Sequence, residues 1–263
     1  NLQLADEKAR KGKLRTYGVI EHDKKREVNL LKLRETLLNG TFHTSKYDVF
    51  TIYEPKEREI YRLPYFPDRI LHHAIMNVLE PIWVSTFTAD TYSCIKNRGI
   101  HAAAKKVKQA LREDPEGTTF CLKLDIRKFY PSINHDVLKS ILRRKLKDKR
   151  LLRLLDEIID SADGVPIGNY LSQYFANLYL TYFDHWIKEQ KRVKHYFRYA
   201  DDIVILASDK SYLHSLMGEI RAYLGDLKLE VKGNWQVFPV AARGIDFVGY
   251  VFFHTHTRMR KGI

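Results

Sequence analysis

Three acidic residues carry the most chemical information in this sequence. Asp125 closes the alternating apolar stretch Thr119-Phe120-Cys121-Leu122-Lys123-Leu124, and Asp201 and Asp202 follow Tyr199-Ala200 between two apolar runs. Carboxylates on buried strands must be paired, hydrogen-bonded or metal-bound, because an isolated charge in apolar surroundings is strongly disfavoured. If the strand ending at Asp125 lies beside a hairpin turning at Asp201, the two side chains converge. Such a site suits two hard divalent cations about 3.5–4 Å apart. One cation would lower the pKa of an attacking 3′-hydroxyl; the other would stabilise a triphosphate and its departing pyrophosphate. Taken singly, an Asp-Asp pair in a turn and an Asp at a strand end are ordinary structural features.

Two further segments bear on the same centre. In Asp125-Ile126-Arg127-Lys128-Phe129-Tyr130 an aromatic ring five residues beyond the acid could lie beneath an incoming sugar and exclude a 2′-hydroxyl, or it could simply pack the core. In Gly164-Val165-Pro166-Ile167-Gly168-Asn169-Tyr170-Leu171-Ser172-Gln173, Pro and Gly open a helix with little side-chain bulk. That loop would let a base pair approach the backbone, and it also reads as an ordinary helix start.

The elements that must position these residues follow from periodicity. Helical spacing predicts helices over 25–38, 67–84, 100–112, 136–160, 169–190 and 211–224. Alternation predicts a hairpin over 47–62 with a charged turn at Lys56–Arg58, a strand over 119–125 and two short strands within 195–207. Residues 228–232 and 245–253 are strand-like. The mixture is α+β.

Composition narrows the function class. Lys and Arg exceed Asp and Glu by 45 − 32 = 13, and 16 Tyr and 13 Phe are interleaved among the cations. A surplus of that size predicts an anionic partner, and basic clusters with aromatic platforms suit nucleic acid. A generally basic, solvated surface explains a single run such as 143–150 equally well. With 44% hydrophobic residues the chain can bury a core, which excludes a disordered tail. Cys94 and Cys121 are the only cysteines, too few for a zinc site of their own or a disulfide scaffold. His72, His73, His101, His254 and His256 also lack zinc-site spacing, so packing or nucleic-acid contact is the better reading. No apolar run reaches 18 residues and the first residues lack an apolar signal stretch, so neither a membrane span nor secretion is expected.

In order and spacing, these segments resemble the sequence blocks of reverse transcriptases. Asp125–Tyr130 is similar to the first catalytic block, Gly164–Gln173 to the template-contacting block, Tyr199–Asp202 to the double-aspartate hairpin, and Phe247-Val248-Gly249-Tyr250 to the primer grip. The resemblance implies a right hand of fingers and palm, an antiparallel palm sheet packed on helices, with the thumb truncated or absent. It divides the chain into an N-terminal segment and fingers over 1–118, a palm over 119–255 to which 131–165 is a fingers insertion, and the start of a thumb over 256–263, with more polypeptide expected beyond. It implies RNA-templated DNA synthesis with two Mg²⁺ ions, Mn²⁺ being able to substitute, held by Asp125, Asp201, Asp202 and the Ile126 carbonyl. Lys56, Arg58 and Arg62 would hold the triphosphate, with Phe129, Tyr130, Ile167 and Gly168 around the nucleotide. Arg69, Ser172, Gln173, Gly249 and Tyr250 would contact template and primer.

The nearest likeness is to the enzymes of bacterial and phage diversity-generating retroelements, carried by stretches such as Asp68-Arg69-Ile70-Leu71-His72-His73-Ala74, Asn77-Val78-Leu79-Glu80-Pro81-Ile82 and Ser172-Gln173-Tyr174-Phe175-Ala176-Asn177-Leu178-Tyr179. Those enzymes copy a template-repeat RNA into cDNA with errors at adenines, assisted by a helical-bundle accessory protein. The implied partners are therefore template RNA, a DNA primer, dNTPs and such a protein, in a bacterial or phage-infected cytoplasm. Ile167 stands where many retroviral-type enzymes carry Gln, and an apolar residue there discriminates base pairs less well than a polar one. Ala200 departs from the Met typical of the retroelement group and is shared with group II intron and defence-associated enzymes. Alternatives are an anti-phage defence reverse transcriptase, a group II intron-type enzyme ranked lower for its Ser172-Gln173 pattern and fingers length, and a non-catalytic RNA-binding protein.

Overall fold

The computed structural model describes residues 1–53 and 57–261. Lys56, expected at a hairpin turn, lies outside the described residues. Two compact units are present: Asn1–Ser85 with His135–Phe175, and Thr86–Asn134 with Ala176–Ile263.

The first unit is mainly helical. Helix Ile70–Val84 turns Ile70, Leu71, Ala74, Ile75, Met76, Leu79 and Trp83 inward, the spacing of a buried helical face. Its regular turns begin after Pro67 rather than at it. Phe66 precedes a proline and stays extended, so a wider turn over Tyr65–Arg69 leads into the helix. Asp6, wholly buried, accepts from Arg10 (2.9 Å), Arg26 (2.6 Å) and the Tyr65 hydroxyl (2.5 Å). Burial opposes ionisation of Asp6, yet the bonds from Tyr65, Arg26 and Arg10 hold its carboxyl below the usual carboxylate range.

The helix expected over 136–160 is two helices, His135–Lys145 and Lys149–Ile159. Asp148 breaks it by capping the second: its carboxylate accepts from the N–H groups of Arg150 (2.9 Å) and Leu151 (2.8 Å). Strands β1 (Asp48–Ile52) and β2 (Arg58–Arg62) pair antiparallel with Asp48 opposite Arg62. The Tyr61 N–H of β2 donates to the Ile167 carbonyl at 2.8 Å, which docks the 164–168 loop on the hairpin. That docking requires Gly168. Its φ is +117°, and a β-carbon there would stand 2.9 Å from the Tyr61 carbonyl oxygen.

The second unit is built on an antiparallel sheet of β3 (Phe120–Asp125), β4 (His195–Tyr199), β5 (Asp202–Ala207) and β6 (Gln236–Pro239), in the order β4-β5-β3-β6. Central β5 is buried on both faces through Ile203, Val204, Ile205 and Leu206. Val204 and Leu206 share a core with Ala103, Val107 and Leu111 of helix Ile100–Glu113. Helix Lys210–Asp226 packs on β3 and β5 through Leu213, Leu216, Met217, Ile220 and Leu224. The stretch 245–253 is a hairpin rather than one strand: β7 (Ile245–Phe247) and β8 (Tyr250–Phe252) turn at Val248-Gly249, and β9 (Thr257–Met259) completes a three-stranded sheet. Residues 228–232 form no strand; a lone bridge joins Val231 to Ile126. The helix expected over 169–190 stops at Tyr179 and resumes as Thr181–His185, where the Thr181 hydroxyl donates to the Asn177 carbonyl at 3.0 Å. Among the described residues no helix is long and apolar enough to cross a membrane.

Replacing Gly168 with Ala should destabilise the protein by about 2–3 kcal/mol, the left-handed backbone and the Tyr61 contact adding together. Urea unfolding monitored by circular dichroism reads the change; unaltered stability would contradict the docking of the loop on β2.

Candidate active site

The β4–β5 hairpin has a two-residue loop, Ala200-Asp201, closed by the Tyr199–Asp202 pair. Ala200 sits at φ +55°, a region that costs an L-residue energy and that hairpin loops demand at their first position. The turn is held from beneath by Arg198, which is wholly buried. Its Nε and Nη2 donate to the two carboxylate oxygens of Asp184 at 2.7 and 2.6 Å, and its Nη1 donates to the Ala200 carbonyl at 3.0 Å. Asp184 also accepts from the Tyr196 hydroxyl (2.6 Å) and the Thr91 hydroxyl (2.9 Å). A buried ion pair is tolerable only when its donors and acceptors are satisfied in this way. Sequence reasoning passed over both partners. The available signal was Arg198 itself, a charge inside the apolar strand His195-Tyr196-Phe197-Arg198-Tyr199, which must find a buried anion.

The sheet register brings the acids together. Asp125 ends β3 directly opposite Asp202 of β5, and the Ile126 N–H donates to the Asp201 carbonyl at 3.3 Å just past the last pair. The Asp125 carboxylate lies close enough to act directly on the Asp201 carboxyl group. Lys232 serves Asp125 twice, its Nζ donating to the carboxylate at 2.7 Å and its N–H to the main-chain carbonyl at 2.8 Å. Asp202 is drawn the other way, onto Lys123, its diagonal neighbour on β3. Burial, and then the adjacent Asp125 charge, push the Asp201 carboxyl up to about 6. Burial also raises Asp202, against the lowering effect of Lys123.

Among the described residues no group of three or more His, Cys, Asp and Glu side chains is gathered as a metal cage. The site is therefore a carboxylate pair with a third acid neutralised alongside. It fits a divalent cation: two carboxyl groups stand close together as hard oxygen donors whose mutual repulsion a cation would relieve, and an ammonium group already sits against one of them.

Phe129 is buried beneath this corner, and Tyr130 meets it edge-on with centroids 5.7 Å apart. Burial, followed by the influence of Cys94 and Asp201, pushes the Tyr130 hydroxyl well above the usual phenol range, so Tyr130 belongs to the electrostatic surroundings of the acid pair. At the β7–β8 turn both Val248 (φ +47°) and Gly249 (φ +87°) are left-handed. For a β-branched residue that is a genuine outlier, held by packing of Val248 and Tyr250 on the core and by the bond from Arg260 N–H to the Gly249 carbonyl at 3.0 Å.

The remaining sequence candidates lie in the first unit. Arg58 is exposed on β2, and Arg62 is paired with Asp48 and lies over the Phe50 ring at 5.5 Å. Arg69 is half-buried, with its Nε donating to the Ala9 carbonyl at 3.4 Å. Ile167 and Gly168 are held against β2 as described. Ser172 is buried near His72 and Asn169 at a small internal cavity, whereas Gln173 is exposed.

Residues 54–252 match the family model for reverse transcriptase (RNA-dependent DNA polymerase). The chain belongs to the reverse transcriptase family. Protein YkfC of Escherichia coli K12 is 26% identical over 279 residues, which cover 88% of this chain and 73% of that protein. The group II intron-encoded protein LtrA of Lactococcus lactis is 23% identical over 67% of this chain, which spans only 31% of LtrA. Apo telomerase from Candida tropicalis, truncated from its C-terminal domain, superposes with a TM-score of 0.60 at 10% identity, covering 89% of this chain and 60% of that one. Telomerase from Candida albicans, solved with a TWJ fragment of telomeric RNA, gives 0.59 at 14% identity, covering 90% of this chain and 49% of that one. The fold of this reverse transcriptase chain is thus the α+β right-hand polymerase fold expected from its sequence.

Asp201→Asn should stabilise the metal-free protein near pH 8 by about 1–3 kcal/mol, because it removes one of two adjacent buried charges. The sign follows from the raised pKa. Protonation of Asp201 stabilises the fold fully below its ordinary value of 3.8, and that contribution is lost as pH rises through about 6. Urea unfolding in EDTA at pH 5 and pH 8 should show the loss in the wild type and not in the variant. Equal pH slopes would contradict the carboxylate pairing.

Proposed function

We propose that this chain copies RNA into DNA, with the unit bearing Asp125 and Asp201 as the palm and the unit bearing the β1–β2 hairpin and the 164–168 loop as the fingers. The observation that carries the reading is the close approach of Asp125, at the end of β3, to Asp201, on a hairpin anchored from within by Arg198. In the reaction the primer 3′-oxygen attacks the α-phosphorus of a dNTP, the bond to the β-phosphate bridging oxygen breaks, pyrophosphate leaves and the hydroxyl proton passes to water. Mg²⁺ or Mn²⁺, when bound, supplies the activation of the hydroxyl and the neutralisation of the leaving group.

Asp125 and Asp201 hold the cations together with the Ile126 carbonyl, and Asp202, kept on Lys123, acts as the outer acid. Tyr130, with Phe129 beneath it, lies under the deoxyribose and rejects a 2′-hydroxyl. Arg58 and Arg62, with Lys56, bind the triphosphate; Arg62 must first release Asp48. Ile167 and Gly168 line the nascent pair. Arg69, Ser172 and Gln173 act toward the template, and Gly249 and Tyr250 toward the primer.

Within this reading the anti-phage defence role stays an alternative, and two biological roles have specific support. The sequence likeness supports mutagenic copying in a diversity-generating retroelement with an accessory protein. The relatives named as intron-encoded proteins support a group II intron-type role, which ranks level with it despite the lower place the sequence assigned. Adenine-directed substitutions in the cDNA product mark the first role, and faithful copies the second.

With RNA template, DNA primer, dNTPs and Mg²⁺, the protein should extend the primer, and Asp201→Asn should lower the rate on the order of a thousandfold. Normal extension by the variant would refute the metal assignment. Separately, Tyr130→Ala should raise ribonucleotide incorporation about tenfold or more relative to dNTPs, since a side-chain gate contributes on the order of 1–3 kcal/mol. Unchanged sugar selectivity in single-nucleotide assays would remove Tyr130 from that role.

A further inference from the structure

The proposed chemistry uses the end of β3 that carries Asp125. Toward the other end the second unit holds a cleft of about 790 Å³. One wall is helix Ile100–Glu113, where His101, Lys105, Lys108 and Arg112 recur at helical spacing and are all exposed. Lys105, Lys108 and Arg112 make a single cationic stripe along about 10 Å of helix. The facing wall is β8 and the segment leading to β9, with Tyr250, Phe253 and His256.

Two contacts fix the position of the cleft. His254 is hydrogen-bonded to the Thr118 hydroxyl at 3.0 Å, two residues before β3 begins. Asp114, just past the helix, is bonded to His195 at the first residue of β4 at 2.7 Å. Both lie at the edge of the sheet remote from Asp125 and the Ala200-Asp201 turn.

The chemistry of the walls selects the ligand. Among the described residues neither Lys105 nor Lys108 forms an ion pair, and Arg112 meets only its neighbour Glu113, at 3.3 Å. Opposite them the Phe253 and His256 rings stack at 4.6 Å and 11°, and Lys108 Nζ lies 5.9 Å from the Tyr250 centroid. A row of three exposed cations, two of them lysines outside any ion pair, calls for repeated negative charge, and flat rings call for a ligand with π faces. An acidic peptide supplies the first and not the second. We propose that this cleft is a track for single-stranded RNA, separate from the reaction centre, in which the stripe neutralises successive phosphates while Phe253 and His256 receive bases. The identity of the strand as uncopied template rests on the reverse transcriptase reading; the binding itself does not.

The test is a fluorescence anisotropy titration of a labelled single-stranded RNA of about 15 nucleotides against wild type and the triple variant Lys105→Gln, Lys108→Gln, Arg112→Gln. These side chains are exposed, so matched circular dichroism and thermal midpoints establish that the variant folds. Affinity should fall at least tenfold, and the slope of log affinity against log salt should shrink by about 2, as expected for three lost phosphate contacts on a single strand. Incorporation on a short, saturating primer–template should be unchanged. Equal RNA affinity of the two proteins would overturn the proposal. So would a matching loss of incorporation, which would make the stripe part of the primer–template channel, or stripe-dependent binding of polyglutamate as tight as that of RNA. A wild type that binds RNA through the stripe and incorporates no nucleotide would sink the polymerase reading while leaving the track intact.

Discussion

Two like charges are held against each other at the end of β3, and much of the second unit is organised to keep them there. Left to itself, a half-buried Asp125–Asp201 pair would separate or protonate. Separation is prevented by the antiparallel register of β3 and β5 and by a two-residue loop that leaves Asp201 little freedom. The repulsion is moderated by Lys232 on one acid and by Lys123 on the neighbouring Asp202. Under the proposed function, cations at this site would relieve that repulsion.

Backbone strain follows the same geography. Among the described residues, Lys128 before the helix that carries Tyr130, Ala200 in the acid hairpin and Val248 in the β7–β8 turn are all left-handed without being glycine. Each stands beside a residue that the proposed function uses, although Cys94, Asn97, Arg192 and Lys228 are left-handed as well. In the first unit the positive-φ positions among the described residues, 12, 40, 164 and 168, are all glycine, and at 168 a neighbouring strand leaves no room for a side chain.

Much of this was legible in the sequence because the signals were local. Alternation ending in an acid located β3, an apolar run on each side of Tyr199–Asp202 located the hairpin, and helical spacing found the two helices that cover the sheet. Where the reading went astray, short-range hydrogen bonding overrode periodicity: Asp148 capped a new helix inside a continuous leucine pattern, and Thr181 ended another. The strand expected at 228–232 reduces to one bridge, made by bonds to Asp125 and Arg127, because the N–H groups of Lys228 and Leu229 are spent on the end of helix Lys210–Asp226. Asp184 was invisible for a different reason. Nothing in its surrounding residues marks it as buried, and its role exists only through Arg198, fourteen residues later.

That partnership also sets the limits of modularity in this fold. The guanidinium that braces the turn is neutralised by an acid on helix Thr181–His185, and the strand bearing it is flanked by Asp90 and Tyr92 through main-chain bonds of 2.9 and 3.0 Å. The smallest piece that could be transplanted with its geometry intact is therefore three discontinuous segments. A graft of the Tyr-Ala-Asp-Asp hairpin alone would carry the reactive side chains into a new scaffold and leave their foundation behind.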